Sequence, residues 1–144
     1  MAPPGTYTIR LTVEEEQLEQ SFQLLMDPRL AEHVSTAEVT EQVTLHRKVK
    51  ALLDSARRAQ DELEQERDKL SKKKEQSAQN QERLSEVKKL ITQLKTKEGI
   101  YELPRLVDQI TYLYNLLGDT DQMPGKDAND RYEELELALS NMGL

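Results

Sequence analysis

The chain has 144 residues and a formal charge of −7, from 20 basic and 27 acidic residues. This acidic balance argues against a nucleic-acid-binding protein, which normally presents a basic face to phosphates. Since the chain has no cysteine, disulfides, thiolate nucleophiles and zinc–thiolate sites are excluded. Five tyrosines and one phenylalanine are its aromatic residues, and 33% of its residues are charged. That composition favours long solvated helices. We expect no membrane span and no signal peptide in this chain.

The first segment is patterned as two β-strands. Its first strand alternates apolar residues with polar ones at Tyr7, Ile9, Leu11 and Val13. The polar run at residues 14–17 then reverses the chain, and apolar residues return at Leu18, Phe22, Leu24 and Met26. Because proline cannot donate to a strand ladder, Pro28 ends the second strand. The pattern predicts a β-hairpin and a connector within residues 1–34, with an apolar face that needs a cover.

A long helix is predicted over residues 36–72. Ser35 and Glu38 have the spacing of a capping box, which marks its start. A seam of apolar residues then recurs at alternating intervals of four and three residues, which is the heptad pattern of coiled coils. One position of the seam, the acidic intruder, is the glutamate Glu66. The seam consists of Leu45, Val49, Leu52, Ala56, Ala59, Leu63, Glu66 and Leu70.

A second helix is predicted over residues 78–97, with its apolar stripe at Leu84, Val87, Ile91 and Leu94. The polar stretch at residues 71–81 contains neither glycine nor proline, and the heptad register continues through it. One continuous helix therefore stays open as an alternative. We favour a helical hairpin, because its two stripes can bury each other within one chain.

Two further helices are predicted, over residues 103–117 and 128–142. Gly99 suits the left-handed end of the second helix, and Pro104 suits the first turn of the third. The third helix has the most apolar stripe in the chain, from Leu103 to Leu117, and we expect it to be the most buried. Asp127 or Asn129 is expected to cap the last helix. The predicted fold is mainly α: the β-hairpin, a coiled-coil-like helical hairpin and two more helices in a bundle over residues 35–144.

Chemical motifs are few. Asp119, Asp121 and Asp127 share a loop, but the twelfth-position glutamate of a calcium loop is missing, which favours a solvated acidic loop. His33 and His46 lack partners with metal-site spacing, which favours structural roles for both. The sequence has no nucleophile with a base, phosphate loop or cofactor motif. We therefore expect no enzyme activity, no metal and no cofactor.

The aromatic residues are candidates for an interaction surface. Three tyrosines cluster around the third predicted helix, and two aromatic residues belong to the hairpin. The candidates are Tyr101, Tyr112, Tyr114, Tyr7 and Phe22. Helical spacing is also typical of partly buried core tyrosines whose hydroxyl stays wet, so both interpretations stay open for the tyrosines near the third helix.

The stretch "PPGTYTIRLTVEEEQLEQSFQLLMDPRL" resembles a segment near the C-terminus of bacterial exported proteins that carry sortilin-like β-propellers of Asp-box (BNR) repeats and are described as glycosyl-hydrolase-like. The matching residues are Gly5, Thr6, Tyr7, Leu11, Thr12, Val13, Asp27, Pro28 and Arg29. In that family the segment resembles the last strands of an immunoglobulin-like or fibronectin-like domain that follows the propeller. The family turn is usually Asp-Gly or similar, whereas this chain has three glutamates.

A second patch, "YELPRLVDQITYLYNLLGDTDQMPGKDANDRYEEL", is similar to the helical region at the end of the same family. The resemblance implies a non-catalytic, C-terminal helical module of an exported protein, periplasmic or extracellular. Its partners would be an upstream propeller and an immunoglobulin-like domain. It carries over no catalytic residue, because no Asp-box repeat is present.

One alternative function is an independent coiled-coil adaptor or oligomerisation protein. In that case the seam from Leu45 to Leu70 drives self-association. A homodimer through the unpaired strand edges of the hairpin is a further alternative.

Overall fold

A computed structural model describes residues 2–30, 32–72, 77–119 and 122–144. The protein is mainly helical, with an N-terminal antiparallel hairpin and four helices packed together, as predicted. The elements in chain order are β1 (Gly5–Val13), β2 (Glu16–Leu24), α1 (Thr36–Lys72), α2 (Ala78–Leu94), α3 (Leu106–Gly118) and α4 (Lys126–Ser140).

The hairpin separates apolar from polar side chains. Leu11 pairs with Leu18 and Tyr7 with Phe22, so these four side chains share one face. On the opposite face, Arg10 Nε donates to Glu19 Oε1 at 2.5 Å. The second strand ends at Leu24 and does not reach Met26 as the alternation suggested. Leu24 pairs with Gly5, and the prolines at 3 and 4 cannot extend the ladder.

The turn is tighter than the four-residue reversal that the sequence suggested. Val13 pairs with Glu16, so the loop consists of Glu14 and Glu15 alone. Glu14 has a φ of 54°, in the left-handed region that favours glycine. Two-residue loops require a positive φ at the first position, and glutamate adopts it at a steric cost.

Glu14→Gly should therefore stabilise the hairpin by about 0.5–1 kcal/mol, because glycine adopts a positive φ without the Cβ clash. The measurement is the hairpin population from Hα chemical shifts of residues 5–24. Glu15→Gly is the matched control and should give no gain. An equal gain from both substitutions would contradict the role of the φ at Glu14.

Hydrogen-bonded turns form in the described part of the connector between the hairpin and α1. Asp27 Oδ1 accepts from the Arg29 backbone N–H at 2.9 Å, and the Asp27 carbonyl accepts from the Leu30 N–H at 3.0 Å. The Arg29 guanidinium binds the same carboxylate and lowers the pKa of Asp27 to about 2. Further along, the Leu30 carbonyl accepts from the Val34 N–H at 2.9 Å.

The predicted capping box starts α1. The Ser35 backbone N–H donates to Glu38 Oε2 at 2.7 Å, and the Glu38 N–H donates to Ser35 Oγ at 3.2 Å. The hydrogen bond from the Ser35 backbone N–H, joined by one from its hydroxyl, lowers the pKa of Glu38. The helix therefore begins at Thr36, as expected from the sequence.

The core of the bundle forms along α1. Its seam residues Val49 and Ala56 are fully buried, and Leu45, Leu52 and Leu63 are buried with them. The partners of this seam are buried residues of the other three helices: Val87, Leu94, Leu106, Ile110, Leu113, Leu117, Leu135 and Leu139. The third helix contacts all of the others, which fits its strongly apolar stripe.

The helical hairpin is confirmed by the packing of α1 against α2. Glu66, the acidic intruder in the seam, accepts from Arg83 of α2, with Nε to Oε1 at 2.8 Å and Nη2 to Oε2 at 2.9 Å. Lys95 Nζ donates to Glu64 Oε1 at 2.9 Å. The predicted turn lies within residues 70–84, of which residues 73–76 lie outside the described residues.

The segment between α2 and α3 is longer than predicted. The second helix ends at Leu94 and not near residue 97, because Lys95 has an extended backbone (φ −105°, ψ 127°). Gly99 therefore does not cap it. The third helix begins at Leu106 and not at 103, because Arg105 is also extended and its N–H donates to Thr96 Oγ1 at 2.8 Å. Leu103 is consequently exposed outside the helix, and the expectation for its stripe was wrong at this end.

The last helix is shifted by two residues relative to the prediction of 128–142, since it begins at Lys126 and ends at Ser140. Its cap is Gly125, not Asp127 or Asn129, because the Gly125 carbonyl accepts from the Ala128 and Asn129 N–H groups. The predicted apolar face is retained, with Leu135 and Leu139 buried.

One buried glutamine fixes α1 against the end of α3. Gln42 is 1% exposed, and its Nε2 donates to the Leu117 carbonyl at 2.7 Å. Its Oε1 accepts from the Gln122 N–H at 2.9 Å. The last carbonyls of a helix have no backbone N–H partner within the helix, and the Gln42 side chain supplies one to the Leu117 carbonyl. Through its bond with the Gln122 N–H it also positions the loop before α4.

Gln42→Met should destabilise the bundle by about 2–3 kcal/mol, because an apolar isostere leaves the Leu117 carbonyl and the Gln122 N–H without this partner. The measurement is urea unfolding followed by circular dichroism. Gln65→Met, the same change at an exposed site on the same helix, should alter stability by less than about 0.5 kcal/mol. Equal effects at both sites would refute the bridging role.

Candidate interaction surface

The hairpin presents a largely apolar surface that the described part of the chain leaves exposed, and Glu16 and Gln20 share this side of the hairpin. The hairpin face is defined by Tyr7, Ile9, Leu11, Val13, Leu18, Phe22 and Leu24. Ile9 is 60% exposed and Leu18 is 69% exposed. Among the described residues, neither strand packs against a helix, and only Thr36 of α1 lies across a small pocket from the open end of the hairpin. Contiguous exposed apolar patches of this kind mark interaction sites.

The two aromatic candidates of the hairpin lie together on this face. The rings of Tyr7 and Phe22 stack with centroids 5.8 Å apart. The Tyr7 hydroxyl donates to the Pro3 carbonyl at 2.6 Å, which fixes the ring over the start of β1. The alternation in the sequence predicted this apolar face, and Ile9, Leu11 and Leu24 lie on it beside the two aromatic residues, as expected.

The remaining tyrosines do not form one surface. Tyr101 is 95% exposed in the segment between α2 and α3. Tyr112 is 70% exposed on α3, while Tyr114 is half-buried and stacks on His46 of α1, with ring centroids 4.3 Å apart. Since Tyr112 and Tyr114 are two positions apart on a helix, they point in nearly opposite directions. The five aromatic candidates are therefore distributed over separate places.

His46 is part of the bundle and lines a shallow surface pocket together with Tyr114 and Gly118. It is 6% exposed, and it lies against Gly118, where an added Cβ would be 3.4 Å from its Nε2. Desolvation by burial lowers the pKa of His46, and a backbone hydrogen bond with Tyr114 acts in the opposite direction. The neutral imidazole is thus the form that the folded protein favours.

The free energy of unfolding should fall as the pH decreases from about 7.5 to 5.5, because the unfolded chain binds a proton at residue 46 more readily than the folded chain does. One such group contributes at most about 1.4 kcal/mol per pH unit. His46→Gln should remove this part of the slope. His33→Gln, at an exposed histidine, should retain it. Chemical unfolding across the pH range measures both, and a slope unchanged by His46→Gln would disprove the assignment.

A groove between α3 and α4 provides a second concave surface, with a volume of about 680 Å³. Tyr112, Leu116 and Ala128 form apolar parts of its wall. At its rim, Arg131 Nη2 donates to Gln109 Oε1 at 2.7 Å. The groove therefore has apolar walls with polar groups engaged in hydrogen bonds at the rim.

Ion pairs and burial shift the pKa of several side chains among the described residues. The pKa of Glu64 is lowered by its hydrogen bond with Lys95, and that of Glu66 by its hydrogen bond with Arg83. Burial, with a hydrogen bond to Glu136, raises the pKa of Tyr132 to about 12. Each shift favours the form already present at neutral pH, whereas a general acid or base needs a pKa near the working pH.

Across the described ranges, no three histidine or carboxylate side chains converge in a way that could hold a metal ion. Asp121 of the acidic loop lies outside the described residues. Within the part of the chain that the structure covers, none of the helices combines the length and apolar character required to span a bilayer.

Comparison of the chain with protein-family models, with curated proteins and with solved structures finds no match.

Proposed function

We propose that this chain is a non-catalytic interaction module that docks through the hairpin face onto a β-sheet domain. The observation that supports the proposal is the contrast between the two halves of the chain. The helices bury their apolar stripes against one another, whereas the hairpin face is left to solvent.

Burial of one leucine or isoleucine side chain contributes about 1.5–3 kcal/mol. An isolated two-stranded hairpin is marginally stable in water. Covering the hairpin face would therefore stabilise both the contact and the hairpin itself.

The resemblance to the exported propeller proteins indicates which β-sheet domain this partner would be. In that reading, the hairpin supplies the last two strands of an immunoglobulin-like domain that belongs to the same parent protein, together with an upstream propeller. The helical bundle is then a C-terminal module, and the parent protein is periplasmic or extracellular. The resemblance rests on the residues quoted above, such as Gly5, Tyr7 and Asp27 to Arg29.

The alternative of an independent coiled-coil adaptor requires the seam of α1 to be free for a partner helix. Val49, Ala56 and Leu63 of that seam are buried among the other helices of the bundle. Self-association through this seam would require the bundle to open, which disfavours the alternative.

The test uses the full product of the gene and the double substitution Ile9→Thr with Leu18→Thr, which keeps strand propensity while removing apolar surface. If the hairpin face is docked, the full product should lose about 2–4 kcal/mol of stability. The measurement is chemical unfolding, with this chain alone carrying the same change as a reference. There the helical bundle should unfold as before.

Leu103→Thr is the matched control, since Leu103 is an exposed leucine in a loop. It should leave the stability of the full product unchanged. If the double substitution had no more effect than this control, the proposal would fail.

A further inference from the structure

The segment between α2 and α3 is a loop that is closed at its base. Thr96 Oγ1 accepts from the Arg105 N–H at 2.8 Å, which holds the two ends of the stretch between them together. We call residues 97–104 the tip loop. Loops whose ends lie close together are normally packed by their own side chains.

The tip loop instead presents apolar side chains to solvent. Ile100 is 90% exposed and Tyr101 is 95% exposed. In the described part of the chain, no other large hydrophobic side chain is as exposed as these two. Since the base of the loop is already tied, binding through its tip requires less ordering than binding through a free segment would.

The groove between α3 and α4 opens beside the tip loop. Pro104, the last residue of the loop, forms part of the groove wall. Tyr112 and Leu116 lie one turn apart on α3 and are the large exposed apolar side chains of that wall, at 70% and 45% exposure. An apolar projection and an apolar recess therefore lie side by side on the surface of the bundle.

Charged side chains without partners frame both surfaces. Among the described residues, Asp108 and Asp127 of the groove form no ion pair and no side-chain hydrogen bond. The side chains of Lys97 and Arg105, at the two ends of the tip loop, have no carboxylate partner there either. The loop also carries glutamates at positions 98 and 102. The cations at its base, and not its net charge, are thus complementary to the groove.

We infer that a second copy of this chain covers this surface, with the tip loop of each copy inserted into the α3–α4 groove of the other. A two-fold axis relates the two contacts, so each copy contributes one loop and one groove. The side-by-side placement permits this exchange, because a loop and a groove on opposite sides of the bundle would link copies into rings or filaments. This surface is separate from the hairpin face, and the inference does not depend on the proposed docking.

The size of the contact suits a dimer of moderate affinity. The groove has a volume of about 680 Å³, within the range of pockets that hold drug-sized molecules, so it has room for the two side chains of the loop tip. Each copy would cover two large apolar side chains of the loop and two of the groove. At roughly 100–150 Å² each, the pair of copies would bury on the order of 1,000 Å², which is about the lower limit for a specific interface.

Sedimentation velocity of this chain between about 1 and 200 μM tests the inference. A dimer should form with a Kd on the order of 10 μM, as expected for an interface near the lower size limit. The measurement is made at about 0.15 M salt, which screens the repulsion between two chains that each carry a charge of −7. A chain that stays monomeric over the whole range would overturn the inference.

Surface substitutions then locate the interface. Tyr101→Ser removes the loop tip and Leu116→Asp places a charge in the groove, so each should raise the Kd at least about tenfold. Leu137→Asp is the matched control, because Leu137 is 61% exposed on α4 and does not line the groove. It should leave the Kd unchanged. Equal effects of the two aspartate substitutions, with circular dichroism unchanged in both, would contradict the contact.

The hairpin face is the competing site of self-association. Ile9→Thr with Leu18→Thr should leave the dimer intact, since neither residue belongs to the tip loop or the groove. A dimer that dissociates with this double substitution and persists with Tyr101→Ser would assign self-association to the hairpin face and overturn the inference.

Cross-linking identifies the contact directly, because the chain has no cysteine of its own. Glu102→Cys in the tip loop and Gln109→Cys in the groove are made in separate chains, mixed and treated with a short bismaleimide. The mixed product should exceed the one formed when Gln109→Cys is replaced by Asp130→Cys, at an exposed position of α4 outside the groove. Equal yields from the two mixtures would refute insertion of the loop into the groove.

Discussion

The bundle depends on a single constraint, the need of the 37-residue helix α1 to bury its apolar seam along most of its length. Neighbouring helices satisfy that need from several sides, with Val87 of α2, Ile110 of α3 and Leu135 of α4 among the residues that close over it. The seam is covered by these helices and not by the hairpin, since among the described residues neither strand packs against a helix. The hairpin therefore adds nothing to the described core, and its own face stays exposed.

Polar side chains join the helices at two places where the apolar pattern breaks. Gln42 is buried and reaches the end of α3, whereas Glu66 meets Arg83 of α2 at the surface. A buried polar group is costly unless it finds its partner, so the contacts of Gln42 disfavour packings in which α1 and α3 slide past one another.

Much of the fold could be predicted from the sequence because its signals are local. The alternation in β1, the capping box at Ser35 and the heptad steps of α1 each need only neighbouring residues. The end of α2 could not be predicted, because it depends on Thr96 accepting a hydrogen bond from Arg105, nine residues away.

The role of Gln42 was missed although it lies three residues before Leu45, in step with the seam. The tyrosines were grouped by their proximity in the sequence, although a spacing of two on the predicted third helix already places Tyr112 and Tyr114 on nearly opposite sides.

The connector limits how far its two ends can separate. Its described residues form turns at Asp27 and Leu30, and the Arg29 guanidinium lowers the pKa of Asp27 to about 2, so this carboxylate stays ionised at ordinary pH. Eleven residues lie between Leu24 and Thr36. At full extension they span at most roughly 40 Å, so any sheet that captured the hairpin would keep the start of α1 within that distance.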